Sequence, residues 1–366
     1  MDFTGINRNV TQKVKRLLEL FPAVVIVGAR QTGKTFLSKM LCPDWKYIDL
    51  ENADDFEQIS YDPLFFFKEY TKDVIIDEAQ IWPELFNTLR GVIDSNRSVK
   101  GRFILTGSSS PELLKNVSES LAGRVAIVEL GTLKANEFLQ KPLSKFYDFF
   151  AQPLSKESMK LKGEAPIANK QMQHIWLKGG YAEPLLNTEQ GFYDLWMENY
   201  RKTYIQRDIA KLFPRLNTIK FQRFITMLGK LSGTIINKNN LATAVEASES
   251  AIREYIDIAD GTFIWRKLPS FEHNVTKSIT KMPKGHIRDT GILNYLLKIS
   301  DYESLLSDPS VGKSFEAFVI EEILKGLEAT LVTNWEPYYY RTRNGAEIDL
   351  ILRGPFGVLP IEIKHG

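Results

Sequence analysis

The chain has only one cysteine, Cys42, and four histidines, His174, His273, His286 and His365. One cysteine excludes a disulfide framework, and these residues cannot make up a Cys/His zinc set. An excess of one charge is equally lacking: 47 Lys plus Arg against 45 Asp plus Glu leave a formal net charge of +2. That balance excludes a histone-like coat for nucleic acid and leaves room for a local basic face. No uncharged apolar run reaches the ~18 residues needed to span a bilayer, so no membrane partner is expected. The opening Met1-Asp2-Phe3-Thr4-Gly5 is acidic and carries no apolar stretch, which predicts no signal peptide. What is present, 43% apolar and 25% charged residues over 366 positions, supports sizeable cores. At ~150 residues per domain, two or three domains are expected. The expectation is a reduced, soluble, cytoplasmic protein.

The first ~130 residues alternate short apolar runs with helical stretches. The runs predict strands at Ala23–Val27, Lys46–Leu50, Val74–Asp77, Arg102–Thr106 and Val125–Leu130. Between them, Gly33–Leu41, Pro63–Tyr70 and Glu84–Ile93 read as helices. Three of the runs (AVVIV, VIID, RFILT) are nearly continuous in apolar residues, as strands covered on both faces are. Such alternation predicts an α/β fold built on a mostly parallel, doubly wound sheet.

Gly28-Ala29-Arg30-Gln31-Thr32-Gly33-Lys34-Thr35 satisfies every fixed position of G-x-x-x-x-G-K-[ST] between a strand and a helix that continues through Phe36. Glycines let the backbone wrap phosphates with its amides turned inward, and the helix N-terminus adds partial positive charge. Residues 28–36 are therefore the expected ATP-binding segment. Lys34 is expected to bridge the terminal phosphates from an exposed position, and Thr35 to ligate Mg²⁺. Val74-Ile75-Ile76-Asp77-Glu78 is a buried strand ending in two acids, with Asp77 expected on the metal and Glu78 as general base. Ser108, at the end of Phe103-Ile104-Leu105-Thr106-Gly107, reads either as a γ-phosphate or water contact or as part of a turn capping the next helix. Arg124 reads either as an arginine stabilising charge, in cis or in trans, or as a plain surface residue.

GARQTGKT, VIIDEAQ, FILTGSS and SLAGR, in this order, resemble the AAA-type P-loop ATPase domain of a large bacterial and archaeal family. Stretches further on, Gly179–Pro184, Tyr204–Ile209, His286–Gly291 and Gly312–Lys364, resemble the uncharacterised C-terminal region of that family. The resemblance implies ATP binding and hydrolysis and supplies no target.

Between Lys211 and Asn240 the chain carries Lys211, Arg215, Lys220, Arg223, Lys230 and Lys238 and no Asp or Glu. Helical spacing occurs at Asp194–Arg207, Ile219–Ser232 and Ser248–Ile258; Asn240–Ala242 and Ser248–Tyr255 read as two short helices joined by a turn, followed by a strand at Thr262–Lys267. The order resembles a winged helix-turn-helix, read either as a DNA contact or as a packing and assembly module. Past Gly312, a helix Ser314–Leu327 and strands around Tyr338–Thr342, Ala346–Leu352 and Leu359–Lys364 carry Glu316, Asp349, Glu362 and Lys364. A helix Glu, a strand Asp and E-x-K resemble the restriction-endonuclease-like core, where acids hold Mg²⁺ and the lysine serves the water. The chain stops two residues after Lys364, so the last strand is expected to lack the cover that such domains continue into.

The expected organisation is an AAA-type ATPase domain over 1–135, a linker and helical region over 136–210, a winged-helix-like module over 211–275 and a small α/β restriction-endonuclease-like domain over 285–366. Three functions remain open: an ATPase acting on nucleic acid, an ATP-dependent DNA nuclease, and a regulatory ATPase whose C-terminal region is a protein-interaction scaffold. ATP and Mg²⁺ are the expected cofactors; DNA, a protein partner or a second copy are the candidate partners.

Overall fold

All six residues of β1 (Ala23–Gly28) are buried, and Val24, Val25 and Ile26 are fully so, because this strand is enclosed on both faces and both edges. β1 pairs in parallel with β4 (Phe103–Ser108) on one side and β5 (Val125–Glu129) on the other. β3 (Val74–Asp77) and β2 (Lys46–Asp49) extend the sheet beyond β4, giving the order β2-β3-β4-β1-β5 with every pairing parallel. At the edge, β5 alternates buried and exposed residues and leaves Ile127 44% exposed. Helix Glu84–Asp94 covers the sheet with Leu85, Phe86, Leu89 and Ile93, one apolar stripe at helical spacing. Parallel strands bring their C-terminal ends to one edge. Gly28 stands in register with Ser108, and Asp49 with Asp77.

This computed structural model describes residues 5–108, 111–153, 167–272, 282–342 and 344–365. They form two compact units, Asn7–Gly131 on the sheet just described, and Thr132–Gly366 together with Met1–Ile6. Among the described residues no helix is long and apolar enough to cross a membrane.

In the second unit a helical core gathers Phe221, Phe224, Ile225 and Leu228 of helix Thr218–Lys230 with Ile252, Tyr255 and Ile256 of helix Glu249–Gly261. Asn217 and Ser248 cap these two helices by accepting from the Lys220 and Ala251 amides. Helix Phe192–Tyr200 runs on as a π-helix over Arg201–Asp208. A small antiparallel sheet follows, in which β8 (Lys284–Ile287) lies between β6 (Thr234–Ile235) and β7 (Trp265–Leu268). The chain then forms helix Val311–Glu328 and a second antiparallel sheet of β9 (Glu336–Arg341), β10 (Glu347–Gly354) and β11 (Gly357–Ile361), with β10 in the middle.

Two of the stretches that carry the family resemblance meet in a structural joint. Gly179 sits at φ +75, where a Cβ would collide with the Asp289 carboxylate. Asp289 accepts from the Gly180 amide at 2.9 Å and from the Gly291 and Ile292 amides at 2.9 and 3.3 Å. One buried carboxylate thus caps helix Thr290–Leu297 and ties it to the turn after helix Asn169–Lys178.

Within the region expected as linker and helical, residues 145–151 form a short 3₁₀ segment whose Tyr147 and Phe150 pack with Tyr339, Leu350 and Leu352 of β9 and β10. The structure departs from the expected elements at the chain's last strand. The final strand, expected to reach Lys364, ends at Ile361. There the Asp349 carboxylate, not a strand carbonyl, accepts the Ile363 amide at 2.7 Å, and the ladder stops. Residues 154–166, within the expected linker region, and His273 lie outside the described residues.

Candidate functional site

The loop after β1 owes its shape to three backbone demands. Gly28 approaches the Leu130 carbonyl so closely that a Cβ would collide with it. Gln31 and Gly33 take φ of 64 and 88, left-handed conformations that turn successive amides into one concavity. Thr32 donates to the Ala29 carbonyl at 2.9 Å and closes the turn. Helix Lys34–Leu41 begins directly after the loop, with no side chain capping its first-turn amides.

Lys34 corrects an expectation. It is 5% exposed rather than open to solvent, and its ammonium donates to the Gly28 and Ala29 carbonyls at 3.1 and 2.9 Å. Burial lowers the pKa of Lys34, while the charges of Glu78 and Asp77 act in the opposite direction.

Asp77 stands at the end of β3, beside the loop. Its Oδ2 accepts from Thr35 Oγ1 at 2.6 Å and from the Tyr47 hydroxyl at 2.8 Å. Its Oδ1 accepts from Thr106 Oγ1 and from the Glu78 amide, the latter at 3.2 Å. Burial, and then the hydrogen bond to Asp77, push the Tyr47 phenol above its ordinary range, so it remains a donor. Glu78 leaves the strand at φ 53, and its carboxylate accepts from Gln80 Nε2. At Gly107, on the neighbouring β4, a Cβ would meet the ends of the Gln80 and Leu113 side chains.

The remaining predicted residues are less central. Ala29 is buried in the loop, Phe36 is 37% exposed, and Arg30 lies 3.9 Å from Glu51 at the surface. The Ser108 backbone pairs with Gly28; its side chain lies outside the described part. Arg124 grips Asp94 with two hydrogen bonds of 2.8 and 2.6 Å. Sequence reasoning missed Arg8, whose guanidinium donates to the Thr32 carbonyl at 2.8 Å and the Gly131 carbonyl at 2.6 Å. It also missed Tyr47 and Thr106. An arginine or tyrosine in an unremarkable context carries no local signal for a partner 24 or 30 residues away.

In the second unit Glu316 and Asp349 do come together, joined by Glu347, around a lysine that sequence reasoning passed over. Lys284, 4% exposed at its side chain, contacts Glu316, reaches Glu347 at 2.6 Å and lies 4.0 Å from Asp349. Burial pushes the Glu316 carboxyl up to about 7; Lys284 opposes this, and the charges of Asp349 and Glu347 add to it. Glu362 and Lys364 stand apart from Lys284, paired with each other at 3.4 Å with side chains 52% and 77% exposed. Past Ile361 the chain no longer follows the strand whose alternation would aim both residues at the cluster. Among the described residues, no group of three His, Cys, Asp or Glu is arranged to hold a metal ion.

A parallel sheet with a G-x-x-x-x-G-K-T loop after its first strand and an acid-tipped strand two places away defines a P-loop nucleoside triphosphatase. Comparison narrows this class. Residues 20–139 match the AAA domain family, and residues 169–303 and 311–366 match two domains of unknown function (DUF8612 and DUF4143). An uncharacterised protein of Mycobacterium tuberculosis is 31% identical over 364 residues, covering 98% of this chain and 74% of that one. One from Methanocaldococcus jannaschii is 24% identical over 347 residues, covering 90% and 72%. Among solved structures, the Walker-type ATPase of Pyrococcus abyssi aligns at TM-score 0.49 and 16% identity, covering 80% of this chain and 96% of that one. The chain belongs to the AAA-type P-loop ATPase family.

Proposed function

We propose that the protein hydrolyses ATP with Mg²⁺ at the Gly28–Thr35 loop and couples the hydrolysis to action on nucleic acid. The observation that carries the first half is the 2.6 Å bond from Thr35 to Asp77 beside the loop, with Glu78 next in the chain. A hydroxyl and a carboxylate that already meet are the hard oxygen donors Mg²⁺ prefers, so the residues present fit the ion. Bound there, Mg²⁺ would neutralise charge on the phosphoryl group being transferred. The chain's own residues do the rest. Lys34 exchanges the Gly28 and Ala29 carbonyls for phosphate oxygens, loop amides cradle the phosphates, and Glu78 accepts a proton from the attacking water. Gln80 holds the Glu78 carboxylate until then.

The second half rests on the module over 211–275 and β8. Helix, short strand, two helices and two antiparallel strands, with β8 between β6 and β7, is the order of a winged helix. A steady-state ATPase assay with and without DNA tests the coupling: stimulation supports it, and an unchanged rate with every DNA form removes the nucleic-acid half. The competing reading, a regulatory ATPase with an inactive scaffold at its end, is favoured by Lys284, whose ammonium sits among the carboxylates where a cation would. Mg²⁺-dependent DNA cleavage lost in Asp349→Ala would favour an ATP-dependent nuclease instead.

A further inference from the structure

Charge is sorted sharply in the helical module. From Lys211 to Val245 there are six cations and no Asp or Glu, in a chain whose formal net charge is +2. Helix Thr218–Lys230 turns Phe221, Phe224, Ile225 and Leu228 inward. Its outer stripe, Ile219, Arg223, Thr226 and Lys230, repeats at i, i+4, i+7 and i+11 and is exposed throughout. Lys211 and Arg215, also exposed, lie just before this helix. Lys211, Arg215 and Lys230 have no ion-pair partner among the described residues, and Arg223 meets Glu246 only at 3.6 Å.

Helix Glu249–Gly261 carries the opposite sign. This is the helix whose place in the order corresponds to the groove-reading helix of a winged fold. Glu249, Glu254 and Asp257 are exposed on it. Its one cation, Arg253, is held by Glu249 at 2.5 Å, and Asp257 and Asp260 hold Lys267 at 3.0 and 3.2 Å. Such a face repels phosphate.

We infer that the module meets duplex DNA through the cationic face formed by Lys211, Arg215, Arg223 and Lys230, and not through helix Glu249–Gly261. The inference rests on the nucleic-acid reading above and names its surface. Point cations spread over a helix end, a turn and the following helix neutralise phosphates but read no base edges, so the binding is sequence-independent. Four neutralised phosphates correspond to a slope of about −3.6 in log K against log salt.

The test is fluorescence anisotropy of the full chain with a labelled DNA duplex of ~20 base pairs, titrated at several salt concentrations. The variants are a triple charge reversal, Arg215→Glu with Arg223→Glu and Lys230→Glu, and a single Arg253→Glu. The triple variant is expected to bind at least tenfold more weakly with the salt slope reduced by about three, while Arg253→Glu stays within twofold of wild type. Circular dichroism confirms the fold of each, and all substituted side chains are on the surface. Wild-type affinity and slope in the triple variant, or a large loss in Arg253→Glu, would overturn the assigned surface and leave the nucleic-acid reading standing. No wild-type binding to any DNA form at low salt would remove that reading and the inference with it. A triple variant that changes oligomeric state and keeps its DNA affinity would assign the face to a second copy instead.

Discussion

Asp77 collects four hydrogen bonds, three of them from the hydroxyls of Thr35, Tyr47 and Thr106. A carboxylate so surrounded is fixed in direction before any ligand arrives, which is what a metal-holding group needs in order to act without reorganising. Lys34 is prepared differently. Its ammonium lies folded on the loop that it is proposed to open. Lys34→Ala therefore acts on two quantities. It removes the cation for the phosphates, so ATP affinity measured by calorimetry should fall by tenfold or more. It also removes the donor from two loop carbonyls, so the ligand-free variant should be less stable by about 1 kcal/mol in a denaturant titration. Unchanged affinity in a folded variant would reject the phosphate role.

Elements are where local sequence signals either held or met long-range competition. The loop could be read because its fixed residue types fall within eight positions, although the close approach of Gly28 to the Leu130 carbonyl is itself long-range. β1 and β3 could be read because enclosure leaves no polar face. The end of β11 could not, since the Ile363 amide goes to a carboxylate 14 positions away, and strand alternation is blind to that. Lys284 was equally invisible: its carboxylates lie on a helix and another strand, Glu347 being 63 positions on. The joint at Gly179 yields a direct prediction. An added methyl there meets Asp289 in a backbone region that only glycine enters readily, so Gly179→Ala should destabilise by roughly 2–4 kcal/mol, read as a lowered denaturation midpoint. The small sheet yields another. His286 on β8 is buried with Nε2 2.9 Å from Glu321, and Arg266 and Arg288 face the same carboxylate. Burial lowers its pKa from 6.5 despite Glu321, so protons bind the unfolded chain more tightly. The contribution of a neutral His286 is fully present above pH 6.5 and is lost as pH falls through the lowered value. Stability measured by urea titration should decline on acidification below pH 6.5, and His286→Gln should flatten that decline; an equal decline in the variant would assign it elsewhere.

Across the whole molecule, one unit carries nucleotide chemistry that the sequence announces, and the other carries an organisation that sequence reasoning reached only in outline. The difference has a physical origin. Phosphate binding is local, made by a loop and the first turn of a helix, whereas the second unit is held by joints such as Asp289 with Gly180 that span 109 positions. Glu78 is proposed as the base that turns ATP over at this site. Its most direct test is phosphate release by Glu78→Gln against wild type at saturating ATP and Mg²⁺, with nucleotide binding measured on the same samples. Retained ATP binding and a rate lower by roughly 10²–10⁴ are expected. Turnover at the wild-type rate in a variant that still binds ATP would contradict this role.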